Sequence, residues 1–166
     1  MMTDQRVMTS QILLVILALG GPTTLIAGDK SPHAPNQVFN GKASALTHGL
    51  SRFYNGKGAY LGRTRTSGSS SRFYDFQGWY SGRVETSKDS TLSYDGRGRY
   101  TGRTSKSGKD TRLYDSNGAY SGRSTASGDA IRFYDGRGAY SGRAERSGNT
   151  TRCFDSEGHF VGTKRN

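Results

Sequence analysis

From Arg52 to Asn166 the polar and apolar positions fall into one recurring word. Arg-Phe-Tyr-Asp-Gly-Arg-Gly-Ala-Tyr-Ser-Gly-Arg (132–143) returns upstream at 72–83 and 112–123 with small changes, and the period is 20 residues. Five full units begin at Arg52, Arg72, Leu92, Arg112 and Arg132, and a partial one at Arg152. Such a period signals stacked repeats, each burying on its neighbours what it cannot bury alone. Within a unit, alternation of large and polar residues predicts two short strands, and clusters of turn residues separate them. The expected fold is all-β: about six stacked hairpins, hence about twelve short antiparallel strands, forming a meander or solenoid-like sheet after an N-terminal signal helix.

Two tyrosine columns set the register. The first holds Tyr54, Tyr74, Tyr94, Tyr114, Tyr134 and Phe154; the second, six residues on, holds Tyr60, Tyr80, Tyr100, Tyr120, Tyr140 and Phe160. Together they contain all ten tyrosines. Between them lie Asn55, Asp75, Asp95, Asp115, Asp135 and Asp155, followed three residues later by Gly58, Gly78, Gly98, Gly118, Gly138 and Gly158. Asp suits the first position of a type I turn, and Gly takes the left-handed residue that closes a three-residue loop with a bulge. That geometry sets Asp75 opposite Trp79 and Tyr74 opposite Tyr80, making the tyrosines cross-strand partners on one face.

Continued without interruption, the same register sets Phe73 opposite Ser81 and Arg72 opposite Gly82. It places the glycine column (Gly62, Gly82, Gly102, Gly122, Gly142, Gly162) under the tyrosine rings, an arrangement that rings are known to tolerate. The tyrosine face then reads as core. The second connections, such as Ser67-Gly-Ser69 and Ser107-Gly-Lys109, are turn residues between Thr and Ser flanks.

Composition sharpens the picture. Only 31% of the chain is hydrophobic and branched aliphatic residues are sparse, yet there are ten Tyr, seven Phe and 24 Gly. Disorder predicts few aromatics, so an ordered repeat with a ladder core is favoured over a conventional sandwich.

The N-terminus is a separate segment. Gln11–Leu19 is an apolar run of signal-peptide length, too short to span a bilayer comfortably, with small residues near Gly20 and Ala27–Gly28. Residues 1–28 read as a cleaved export signal in preference to an uncleaved anchor or a buried helix, and place the protein outside the cell or in the periplasm or envelope. Asp29 stands where a lipidated Cys would be needed. Residues 29–51, with Pro32 and Pro35, read as a linker in which Phe39-Asn-Gly-Lys42 echoes Tyr54-Asn-Gly-Lys57 as a degenerate capping hairpin. The repeat domain is 52–166.

At Tyr74-Asp75-Phe-Gln-Gly78 and Tyr134-Asp135-Gly-Arg-Gly138 the chain resembles the YD repeats of the RHS family, over Arg52 to Asn166. The resemblance implies stacked hairpins with Tyr and Asp in structural roles. Large members wind such repeats into a shell around a toxin; this chain is too short for that, and a remnant of such a shell is what the resemblance allows. The hairpins also look like MORN repeats and choline-binding cell-wall repeats.

The formal net charge is +11, which favours anionic partners. The candidate anion-binding residues are Arg63, Arg83, Arg103, Arg123 and Arg143, expected as a ladder on one face, with Arg52, Arg72, Arg112, Arg132 and Arg152 on the other. The plainer alternative is a solvated face that keeps the sheet soluble. The Asp column reads as turn structure rather than calcium ligands or catalytic acids. His33, His48 and His159 fall at unrelated positions, so neither metal nor cofactor is expected, and no catalytic constellation is present. The expected function is a non-enzymatic scaffold or adhesion module contacting anionic polysaccharide, an envelope surface or lipid head groups, with nucleic-acid binding as the alternative. Cys153, the only cysteine, reads as an apolar filler. Self-association through edge strands or through its thiol is a further route to partners.

Overall fold

The computed structural model describes residues 49–166. The predicted signal helix and most of the linker lie outside them. Residues 49–51, read from the sequence as linker, belong to the first strand.

Twelve strands follow one another: β1 (Gly49–Asn55), β2 (Tyr60–Ser67), β3 (Ser70–Asp75), β4 (Tyr80–Ser87), β5 (Ser90–Asp95), β6 (Tyr100–Ser107), β7 (Asp110–Asp115), β8 (Tyr120–Ser127), β9 (Ala130–Asp135), β10 (Tyr140–Ser147), β11 (Thr150–Asp155) and β12 (Phe160–Arg165). Every pair of sequence neighbours is antiparallel, as a meander requires. The sheet neither stays open nor winds into a solenoid, however. β1 pairs with β12, Arg52 opposite Arg165 and Tyr54 opposite Thr163, and the sheet closes into a barrel. Closure removes the unpaired edges that an open sheet exposes, so the expected self-association through edge strands has no edge to use among the described residues.

The Asp-x-x-Gly loops form as predicted. Gly78 N–H donates to the Asp75 carbonyl at 3.1 Å, and Asp75 N–H donates to the Trp79 carbonyl at 3.0 Å. The Asp75 side chain caps the loop by accepting from the N–H groups of Gln77 (3.0 Å) and Trp79 (2.9 Å), a pattern repeated by Asp95, Asp115, Asp135 and Asp155. Gly78 has φ +90°, in the region that favours glycine.

Beyond the tyrosine pair the expected register fails by one residue. Tyr74 faces Tyr80, but Phe73 then faces Gly82 and Arg72 faces Arg83, because Ser81 is bulged out of the ladder. The same shift recurs in every Asp-x-x-Gly hairpin. Since side chains alternate with period 2, one extra residue turns everything after it to the other face. The glycine column therefore lies on the Phe73 face, not under the tyrosines, and the two arginine columns share one face instead of dividing between two.

That inversion decides the core. Phe53, Phe73, Leu113, Phe133 and Cys153 point inward with Val84 and Ala144, all essentially buried, and Thr64, Thr91, Thr104, Thr111 and Thr151 join them. The tyrosines are outside: Tyr60, Tyr80, Tyr100, Tyr120 and Tyr140 are exposed, and their partners in the first column are half-buried. The expectation that tyrosines form the core is thus corrected. A phenyl ring loses nothing by leaving water, whereas a phenol retains a hydroxyl that outer exposure keeps hydrated. Glycine is required opposite the buried ring: a Cβ on Gly82 would lie 2.5 Å from the Tyr94 carbonyl oxygen of β5.

A candidate anion-binding surface

Each outer tyrosine pair meets edge to face, with ring centroids 5.9–6.3 Å apart from Tyr54–Tyr60 to Phe154–Phe160. The register places Arg63 opposite Tyr74 on the next strand, and likewise Arg83 opposite Tyr94, Arg103 opposite Tyr114, Arg123 opposite Tyr134 and Arg143 opposite Phe154. All five guanidinium groups lie over those rings, at 5.2, 4.2, 4.4, 4.3 and 4.4 Å from the centroids. Arg165 completes a girdle of six over Tyr54 at 5.1 Å. Stacking of this kind contributes about 0.5–1 kcal/mol at exposed sites. Stacking itself leaves the N–H donors around the rim of a guanidinium for oxygen acceptors, and Arg83 and Arg143 spend one each on Glu85 and Glu145.

The other arginine column adds to this surface. Arg52, Arg72, Arg112 and Arg132 stand opposite Arg63, Arg83, Arg123 and Arg143. Cross-strand like charges are unfavourable in isolation, and acidic relief is unevenly distributed. Glu85 holds Arg83 at 2.9 Å and Glu145 holds Arg143 at 2.6 Å. The hydrogen bonds that these guanidinium groups donate, first to the carboxylates and then to Tyr80 or Tyr140, push their pKa values further up. Among the described residues no carboxylate comes within ion-pair reach of Arg63, Arg103 or Arg123. Arg165, Arg52 and Arg63 form one outward row across β12, β1 and β2, with Arg65, Arg72 and Arg83 in the next, and Glu85 is the acidic residue beside them. This outer face does not suit a lipid-facing band: it carries arginines, and its strands of 6–8 residues fall short of the roughly 9–11 that cross a bilayer.

The predicted turn residues cap the Asp-x-x-Gly end of the barrel. Burial pushes the Asp95 carboxyl up, but hydrogen bonds from the Arg99 and Arg97 backbone and the Arg99 side chain outweigh it and hold the pKa low. Asp155 behaves alike through His159 and Glu157. These carboxylates are engaged within their own loops. No group of His, Cys, Asp or Glu suited to a metal occurs among the described residues.

Cys153 is fully buried, and burial pushes its thiol pKa well up. The further route of pairing between chains through this thiol therefore has no accessible sulfur in the folded barrel. Nearby on the inner face, Lys164 is buried and its pKa falls to about 8, through burial and then the neighbouring Arg146 charge.

Two features of the surface are departures from the columns. Phe76 stands where other units have Gly or Ser, and Trp79 where they have Ala, Arg or His; both project from one turn, 65% and 71% exposed. In the last unit Thr163 replaces the stacking arginine, and a hollow of about 870 Å³ lies beside it on the outer face. A scan against protein-family models finds no match for this chain, and a search of curated proteins finds none.

Proposed function

We propose that this protein is an exported, non-enzymatic binding scaffold whose outer face contacts anionic polymers, principally acidic polysaccharide of an envelope surface. The carrying observation is the girdle of six guanidinium groups held over aromatic rings, with three of the five predicted ladder arginines outside any ion pair among the described residues. A side chain already immobilised by stacking loses less conformational entropy when it binds. The apolar run Gln11–Leu19 supports export, and the Tyr-Asp-x-x-Gly resemblance supports a repeat scaffold.

The test is a triple substitution, Arg63→Gln, Arg103→Gln and Arg143→Gln, in the full chain. Binding to heparin should weaken and its log–log salt slope should become shallower, since fewer counterions are displaced. Lost stacking costs about 2 kcal/mol in total, so circular dichroism should still report a folded barrel. Equal retention of wild type and variant at low salt would reduce the girdle to a solvated surface. A nucleic-acid reading draws on Phe76 and Trp79, exposed beside the turn that carries Arg97 and Arg99, which is the pairing of stacking rings and cations that single strands use. Tighter binding of oligothymidylate than of heparin at matched salt would favour it.

A further inference from the structure

The sixth unit breaks the outer pattern at three places together. Both members of its aromatic pair are phenylalanine, Phe154 and Phe160, and Thr163 occupies the stacking-arginine position. Two residues further along β12, Arg165 stands where Glu85 and Glu145 sit in the second and fifth units. In those units the Arg–Glu pair fills the outer surface beside the strand and neutralises it. Here the pair is replaced by a small hydroxyl and an unneutralised cation. The result is an open hollow of about 870 Å³ lined by Thr150, Arg152 and Phe154 of β11 and Phe160, Thr163 and Arg165 of β12.

The lining has a definite chemistry. Arg152 faces Thr163 in the ladder, so Arg165 is its diagonal neighbour, about 7–8 Å away at the Cα level. Glu145 stands on the other side of Arg152, but its carboxylate is bound to Arg143 at 2.6 Å. Among the described residues neither Arg152 nor Arg165 has an ion-pair partner. Two guanidinium forks supply planar donors for carboxylates. Thr150 and Thr163 supply hydroxyls that both donate and accept. Phe160, exposed and without a hydroxyl to hydrate, supplies an apolar surface for the C–H face of a sugar ring, and Phe154, itself covered by the Arg143 guanidinium at 4.4 Å, backs it edge to face. The hollow is open and runs along the strands, which suits a segment of an extended chain rather than an enclosed small molecule.

We infer that this hollow is a subsite for an acidic oligosaccharide whose rings carry carboxylates, seated between Arg152 and Arg165 with an apolar ring face on Phe160. It rests on reading the outer face as anion-binding, and adds to it a place and a ligand class.

The experiment is titration calorimetry of the full chain with a galacturonic acid hexamer, its methyl-esterified neutral form, and an oligothymidylate hexamer. Wild type should bind the acid and not the ester. Arg152→Gln and Arg165→Gln should each weaken binding about tenfold, the loss of roughly one charge-assisted fork, while Lys88→Gln, which removes a charge from a distant turn, should change it less than twofold. Thr163→Arg is the decisive variant. It raises the net charge yet places a long side chain in the hollow, so it should weaken binding about tenfold. If it strengthens binding, or if Lys88→Gln equals Arg152→Gln, only diffuse charge is at work and the subsite is refuted. Preference for oligothymidylate would replace the glycan by nucleic acid. If the hexamer fails to bind while heparin retention still depends on Arg63, Arg103 and Arg143, the subsite falls and the girdle stands; if neither polymer binds, both fall.

Discussion

Replacing Gly122 by alanine isolates the feature on which the barrel's inner face depends. Gly122 lies in β8 with φ +149°, opposite the buried Leu113 on one side and Asp135 on the other. A Cβ built there sits 2.5 Å from the Tyr134 carbonyl oxygen and 3.3 Å from the Asp135 carbonyl carbon. These are backbone atoms of β9, which is paired on both sides and cannot swing away as a side-chain tip could. Gly128, six residues on, has φ +57° and nothing within 4 Å of its added Cβ. Its equivalent in the second unit is Lys88, so that turn already tolerates a side chain. Alanine at either position gains about 0.4–1 kcal/mol from a less flexible unfolded chain. At Gly128 the left-handed conformation costs about 1–2 kcal/mol, for a net loss of about 1. At Gly122 the strained backbone costs about 1–3 kcal/mol, and displacing β9 weakens at least one ladder hydrogen bond for roughly another 1–2, giving a net loss near 3. For a domain of this size that converts to a fall in Tm of about 10 °C for Gly122→Ala against about 4 °C for Gly128→Ala. Far-UV circular dichroism melts of the full chain would measure both. Equal falls would mean that close strand approach is not what the glycine column serves, and the bulged register would be wrong.

The core assignment predicts that Phe133→Ala costs about 3–5 kcal/mol and Tyr140→Ala clearly less, by urea denaturation; the reverse order would return the tyrosines to the interior. Thr104 buries a hydroxyl without a hydrogen-bond partner among the described residues, and Val84 fills the equivalent position, so Thr104→Val should stabilise by about 1 kcal/mol. Lys164 has its folded pKa lowered to about 8 from 10.5. The folded state therefore binds the proton more weakly than the unfolded state, and stability should rise with pH between about 8 and 10.5, by on the order of 3 kcal/mol for this group. The rise should be smaller by that amount in Lys164→Met, measured as the pH dependence of the urea midpoint. Cys153 should react with a soluble thiol reagent only at the rate of barrel opening, and mixing with and without urea would show this.

The 20-residue period, the Asp-x-x-Gly loops and the pairing of Tyr74 with Tyr80 were readable along the chain because each is local. A type I turn with a left-handed glycine is specified by two residues three apart, and the pair it creates follows at once. The bulge at Ser81 is not specified in that way. Ser, Thr, Leu and Val all occupy its column, and its one signal is the glycine that follows it in every unit, held at positive φ, which marks a bulge without saying which face each strand turns inward. That one extra residue turned Gly82 inward beside Phe73 and brought Arg83 out to the tyrosine face, where Arg72 already stood. The stacking of Arg103 on Tyr114 depends on it, as does the hollow beside Thr163, which exists only because β11 and β12 meet in this register. Column identities within a unit were thus determined by the sequence itself. Which columns face water, and which residues of different units touch, was decided by closure, since a pairing between Arg52 and Arg165 has no local signal and is favoured only once ten strands already lie between them.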